Sequence, residues 1–198
     1  MTETDRRPAL LHSYEHAARV VEAVSSTQLG LPTACPDYDV QALIDHLVGA
    51  GFRAAALGRG EPPGSGEFPA VTLAEAPDRL RRAAEEAESA WSDDASLART
   101  VTMPWGETYR GSTLVDMYLA ELACHAWDLA AATGRRDALD ADLAPVALDA
   151  ARAMLQPQYR NLAGEGSPFG SEVPAPEGAD GWDRLAAFMG RRPGVGPA

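Results

Sequence analysis

The chain has 198 residues, of which 45% are hydrophobic, and a formal net charge of −12 at pH 7. This acidic balance excludes a typical nucleic-acid-binding protein, which needs clustered positive charge. The lack of any lysine excludes Schiff-base chemistry and a lysine-bearing phosphate loop. The sequence has only two cysteines, no signal-peptide pattern and no long uncharged apolar run. These features predict a cytoplasmic protein with no membrane partner. The chain is expected to form a single domain over residues 1–198.

Six segments carry apolar residues at helical spacing and are predicted to be helices. In chain order they are ALLHSYEHAARVVEAVSST (9–27), VQALIDHLVGAGFRAAAL (40–57), APDRLRRAAEEAESAW (76–91), LVDMYLAELACHAWDLAAATG (114–134), ADLAPVALDAARAML (141–155) and DGWDRLAAFMG (180–190).

Several helix ends carry recognisable capping residues. Asp37 or Asp39 is expected to cap the second helix, and a Thr72–Glu75 capping box precedes the third. Ser112 or Thr113 is expected to cap the fourth helix, which Gly134 ends.

The segment RTVTMPWGETYRG (99–111) breaks the helical period. Val101 with Thr102, and Thr108 with Tyr109, flank a Pro-Trp-Gly turn, which predicts a small β-hairpin. Four long helices, short extra helices and this hairpin predict an all-α four-helix bundle whose fourth helix is the most buried.

The fourth helix carries three polar groups on a surface that is otherwise apolar. On a helical wheel, His125 lies about 40° from Glu121 and Asp128 about 20° on the other side, so the three share one stripe. Buried charges are costly unless they are paired or bound to metal. Something on the facing side must therefore compensate them.

Metal ligation is one explanation of this stripe. Glu121 and His125, at positions i and i+4, can reach one ion, and His46 on the apolar second helix is the candidate third ligand, because bundle sites use inward-facing side chains of opposing helices. A hydrogen-bonded structural pair remains the alternative. Asp128 is either a fourth ligand or a partner that orients a histidine or an arginine. Tyr14 and His16 on the first helix are predicted to be less deeply placed.

Three stretches resemble a known family: PTACPDYDVQALIDHLVGA (32–50), ELACHAWDLAAATG (121–134) and SPFGSEVPAPEGADGWDRLAAFMGRRP (167–193). The chain is identified as a member of the DinB-like bundle proteins. Within them it resembles an actinobacterial branch of stand-alone metal-binding proteins, which is related to the N-terminal domain of mycothiol-dependent maleylpyruvate isomerase. The resemblance implies a divalent metal, zinc or else nickel, held by the residues that match the family's ligands: His46, Glu121 and His125. It further implies mycothiol as a cosubstrate.

Other residues are candidates for secondary roles. Arg53 falls on nearly the same face as His46, so it is expected either to contact an anionic substrate group or to pair with Asp128. Cys35 precedes a helix N-terminus that could lower its pKa, but both Cys35 and Cys124 are expected to be packing residues. Trp105 is a candidate lid over the pocket.

Three functions remain open from the sequence. The first is a metal-dependent transferase or isomerase that uses a thiol, mycothiol, to attack a small electrophilic substrate. The second is a non-catalytic metal- or small-molecule-binding module, and the third is a metal-free biosynthetic enzyme on the same bundle. An open coordination position favours the enzyme, whereas a closed sphere that includes Asp128 favours the module. A homodimer is left open.

Overall fold

The computed structural model describes residues 4–64, 70–104, 106–156, 160 and 170–194. The elements within these residues are α1 (Arg7–Glu22), α2 (Val40–Arg59), α3 (Ala76–Trp91), α4 (Asp94–Ala98), β1 (Thr100–Thr102), β2 (Thr108–Arg110), α5 (Gly111–Thr133), α6 (Leu143–Met154) and α7 (Gly181–Phe188).

Four long helices form the predicted bundle. Both α1 and α2 pack against α3 and α5, so α1 and α2 face each other across one diagonal. On the outside, α6 packs along α5, and α7 packs on α6 and touches α5. The second and fourth bundle helices in chain order, α2 and α5, are therefore direct neighbours.

The helix α5 lies at the centre of this arrangement. Every residue from Leu122 through Ala130 is buried. This is because α1 and α2 cover one side of the helix while α6 covers another. Among the described residues, no helix combines the length and the apolar character needed to cross a bilayer.

Several predicted boundaries are confirmed. The helix α3 covers 76–91 as expected, and Asp39 caps α2 by accepting a hydrogen bond from the Ala42 backbone N–H at 2.8 Å. The predicted hairpin is present, with β1 and β2 antiparallel and Val101 opposite Tyr109. The first helix, however, ends at Glu22 rather than at residue 27, because Ser25 caps a separate 3-10 turn, Ser26–Gln28.

The predicted start of α5 is wrong. Neither Ser112 nor Thr113 caps it; the helix begins at Gly111, directly after β2. The Gly111 backbone N–H donates to the Arg99 carbonyl at 2.8 Å, and a Cβ atom at position 111 would overlap the Ser96 carbonyl oxygen. The close approach of two backbones, rather than a capping side chain, fixes this junction. The predicted end is confirmed: Gly134 terminates α5 in the left-handed conformation, with φ of 71°.

Candidate metal site

The three residues predicted as ligands come together at the contact between α2 and α5. His46 lies in the second turn of α2, and Glu121 and His125 lie one turn apart on the facing side of α5. One ligating atom from each of the three residues can be chosen so that all lie within 4.8 Å of one another. The structure thus places an imidazole from one helix against a carboxylate and an imidazole from its neighbour.

The orientations of the three side chains leave nitrogen and oxygen atoms facing a common point. His46 Nε2 lies 3.0 Å from Glu121 Oε1, and the rings of His46 and His125 have centroids 4.8 Å apart at an angle of 80°. His125 Nδ1 lies 3.0 Å from Asp128 Oδ2. Because an ionised carboxylate only accepts hydrogen bonds, Nδ1 carries the proton and Nε2 is the nitrogen that could bind a metal.

Two imidazoles and one carboxylate fit a divalent metal. Zinc in catalytic sites commonly takes three protein ligands of these types, with a fourth position for water or substrate. His46 is 9% exposed and His125 is 5% exposed, so both imidazoles are largely shielded from solvent but remain partly accessible. The donor set therefore fits zinc, and nickel also accepts imidazole and carboxylate ligands.

The local electrostatics favour the metal-binding protonation states. Burial opposes ionisation of Glu121, but the hydrogen bond from His46 and the nearby His125 and Arg53 outweigh it and lower the pKa of the carboxyl. Burial also lowers the pKa of His125, against the opposing effect of Asp128. At neutral pH, Glu121 is thus anionic and His125 neutral, as ligands must be.

Asp128 contacts Nδ1 of His125 and links it to a buried arginine, Arg191. It is fully buried, and it receives two hydrogen bonds from the Arg191 guanidinium: Nε to Oδ1 at 3.2 Å and Nη2 to Oδ2 at 3.0 Å. Of the two roles left open for Asp128, this geometry matches the orienting partner. The arginine on Asp128 is Arg191, whereas the sequence had suggested Arg53.

Arg191 is the residue at this site that sequence reasoning missed. It lies 63 residues from Asp128 in the chain, beyond the end of α7, and no periodicity links the two positions. The one available signal was physical: a carboxylate on the buried, largely apolar face of a helix requires a cation, and the chain has only arginines and histidines to supply it.

A cavity of about 290 Å³ opens beside two of the three candidate ligands, His46 and Glu121. Its polar lining comes from His46, Glu121, Arg53 and Tyr118. The apolar lining in the described part of the chain comes from α2, α5 and the loops at 62–64 and 103–104: Ala56, Leu57, Pro62, Pro63, Met103, Pro104 and Met117. Arg53 therefore lies beside the same cavity as His46, in a space that a small molecule could enter.

Both cysteines are packing residues. Cys35 and Cys124 are 5% and 1% exposed, and neither lines this cavity. Burial raises the pKa of both thiols, which is opposite to the lowering considered for Cys35. Trp105, the candidate lid, lies outside the described residues.

The first helix contains side chains that are more deeply buried than the sequence predicted. Tyr14 and His16, predicted to be less deeply placed, are both fully buried. The ring of His16 stacks on Trp182 with centroids 4.9 Å apart. Trp182 belongs to α7, so the cover over His16 comes from a distant part of the chain that the spacing within α1 could not reveal.

Comparisons with known proteins identify the family of this chain. The family model described as the mycothiol maleylpyruvate isomerase N-terminal domain matches residues 10–130, a range that includes all three candidate ligands. Two uncharacterized proteins of Mycobacterium tuberculosis, MT0763 and Rv0738, are each 36% identical over 180 residues. Each alignment covers 88% of this chain and 91% of the relative.

Proposed function

Because the chain belongs to the mycothiol maleylpyruvate isomerase N-terminal domain family, we propose that it is a zinc-dependent enzyme that activates a low-molecular-weight thiol, mycothiol, for attack on a small electrophile. One observation carries this proposal. His46, Glu121 and His125 converge, and the first two of them line a largely apolar cavity of about 290 Å³, which is a suitable setting for a metal and a small substrate.

The three ligands would hold the ion, which when bound makes a coordinated thiol give up its proton near neutral pH. A thiolate supplied in this way would form a carbon–sulfur bond to an electrophilic carbon. With an alkyl halide, the carbon–halogen electron pair would leave as halide, which is a transferase reaction. With an enone, the π electrons would move toward oxygen, and a proton from water would complete the adduct.

The surrounding residues would position the electrophile. Arg53 lines the cavity together with Glu121 and carries the positive charge that can hold an anionic substrate group. Met103 and Met117 offer adaptable apolar contacts for the substrate body. The lining thus suits a small molecule with one anionic end and one apolar end.

The placement of Asp128 supports the enzyme over the non-catalytic module. A module with a structural metal needs a closed sphere, for which Asp128 was the candidate fourth ligand. Asp128 instead contacts His125 Nδ1 and Arg191. Three protein ligands leave a position for the thiol.

Cobalt substitution tests thiol activation directly. Untagged protein is loaded with cobalt(II) and titrated with mycothiol, glutathione and cysteine at millimolar concentration. We expect a new sulfur-to-cobalt charge-transfer band with mycothiol, proton release on mixing, and turnover when a halide or an enone is added. A spectrum unchanged by all three thiols would rule out thiol activation.

The matched variant is Glu121→Gln, which removes a negative ligand while keeping its size. It should weaken cobalt binding and reduce turnover together. If elemental analysis of untagged wild-type protein finds no stoichiometric metal after zinc addition, the metal site itself is wrong. If Glu121→Gln retains full metal affinity and activity, the assignment of this ligand is wrong.

A further inference from the structure

The C-terminal segment after α7 inserts a charged side chain into the bundle core. Arg191 is 6% exposed, and besides its two bonds to Asp128 it donates from Nη1 to the Met189 carbonyl at 2.9 Å. All three donating nitrogens of the guanidinium are thus engaged, so the orientation of the group is fixed relative to α5.

Asp128 transmits this orientation to the candidate ligand His125. The same oxygen, Oδ2, receives the Arg191 Nη2–H at 3.0 Å and the His125 Nδ1–H at 3.0 Å. A carboxylate behind a histidine fixes the tautomer and the ring orientation, and it raises the basicity of the ligating nitrogen. Arg191, Asp128 and His125 therefore form one continuous chain of polar contacts that ends at the candidate metal site.

Stability alone is a weak explanation for this buried pair. Removing two charges from water costs free energy that their attraction often only offsets, and well-packed apolar side chains can serve a core at least as well. The helix α7, which leads into this segment, is also held in place independently of Arg191. Arg136 binds Asp183 at 2.6 Å and Asp180 at 3.1 Å, and Trp182 Nε1 donates to the Asp140 carbonyl.

We infer that Arg191 is a positioning residue for His125, acting through Asp128, so that the C-terminal segment forms part of the metal site. This inference rests on the proposed metal site. It goes beyond the ligand set, because it assigns a role in metal affinity to a residue outside the matched range 10–130.

The test uses the full chain and compares Arg191→Met with Arg136→Met. Both variants remove an arginine that forms ion pairs linking α7 or the segment after it to the rest of the bundle. Arg191 pairs with Asp128, whereas Arg136 pairs with Asp180 and Asp183. Zinc affinity is measured by competition with a chromophoric chelator, and the cobalt(II) ligand-field spectrum is recorded. We expect Arg191→Met to weaken zinc binding by about 10- to 100-fold and to alter the cobalt spectrum, as removal of such outer partners does. Arg136→Met should leave zinc affinity close to that of the wild type, because Arg136 pairs with Asp180 and Asp183 rather than with Asp128.

A double-mutant cycle tests whether Arg191 acts through Asp128. In the Asp128→Asn background, Arg191→Met should cause little further loss of zinc affinity, because the transmitting carboxylate is already gone. Arg191→Lys keeps the charge without the two-point contact and should give an intermediate affinity. Its spectrum provides a readout if Arg191→Met misfolds.

The outcomes separate this inference from the proposed function. If the wild-type protein binds no zinc, both are wrong. If the wild-type protein binds zinc and Arg191→Met binds it equally well, only the inference is wrong. Three results would overturn the inference in favour of a general folding role for Arg191. The first is an equal loss of zinc affinity in Arg136→Met and Arg191→Met, and the second is an undiminished effect of Arg191→Met in the Asp128→Asn background. The third is loss of the wild-type circular dichroism spectrum in both Arg191 variants.

Discussion

The Tyr14 hydroxyl donates a hydrogen bond of 2.8 Å to the Gly51 backbone carbonyl, which joins α1 to α2 across the diagonal of the bundle. The contact is possible because Gly51 lacks a side chain. A Cβ atom there would lie 2.8 Å from Tyr14 Cε1 and 3.3 Å from the Ala83 methyl of α3. Three helices thus meet at a glycine five residues after the candidate ligand His46.

Gly51→Ala should therefore destabilise the protein even though alanine favours helices. Overpacking a core costs roughly 1–3 kcal/mol, while the exchange of glycine for alanine in a helix regains about 1 kcal/mol. We expect a net loss of about 1 kcal/mol in the free energy of unfolding, measured by urea denaturation. Gly30→Ala is the control, because a Cβ atom there meets nothing within 4 Å. A Gly51→Ala protein as stable as the wild type would show that Tyr14 can move aside.

Zinc should stabilise the folded chain by mass action. At a free concentration 100 times its dissociation constant, a ligand that binds only the native state adds about 2.7 kcal/mol. We expect a chelator to lower the melting temperature of untagged protein and zinc to restore it, whereas His46→Ala and His125→Ala abolish the response. His12→Ala is the control, since His12 is a half-exposed histidine on α1 outside the ligand group. Retention of the full zinc response in both ligand variants would contradict the site.

His16 should make the protein sensitive to mild acid. Burial, with a further contribution from Arg19, lowers the pKa of His16 to about 4, below the ordinary value of 6.5. The unfolded chain therefore binds more protons between these values, and the stabilisation from a neutral, buried His16 is lost as pH falls from about 6.5 through 4. A difference of this size corresponds to about 3 kcal/mol.

His16→Phe keeps a ring against Trp182 but cannot be protonated. With chelator present, its free energy of unfolding should fall less than that of the wild type between pH 7 and pH 4.5. Tyr14→Phe is the control, because it alters a buried side chain of α1 without removing a group that titrates in this range. Parallel pH profiles for wild type and His16→Phe would show that His16 does not cause the acid sensitivity.

Local patterns in the sequence predicted the helices where the causes were local. The bounds of α3 and the Asp39 cap follow from apolar spacing and a carboxylate next to free backbone N–H groups. The start of α5 could not be found in this way. It depends on Gly111 approaching the Ser96 carbonyl, a contact made across the hairpin. The short helix α4 was not predicted, although Asp93 caps it in the expected manner.

The residues of the candidate site differ in the same way: some could be predicted from local spacing and others could not. Glu121 and His125 share a helix face, so their proximity could be calculated. His46 was a candidate because it lies on a second apolar helix, and the family resemblance implied the same residue. Arg191 and the cover of His16 by Trp182 depend on where the C-terminal segment packs, which no spacing within a single helix encodes. The only indication in the sequence was the buried carboxylate of Asp128 with no identified cationic partner, which implied that another segment packs against α5.

The pairing of His46 with Glu121 also affects how the chain unfolds. The two residues are separated by 75 positions, so an ion held between them would act as a cross-link that closes a long loop. For a disulfide, closing a loop of that length restricts the unfolded chain by roughly 4 kcal/mol. Backbone amides of α2 and α5 should then exchange with solvent deuterium more slowly in the zinc-loaded protein than in the chelated one. Separation of these two helices would require release of the ion first, so zinc would set the lifetime of the native state as well as its equilibrium stability.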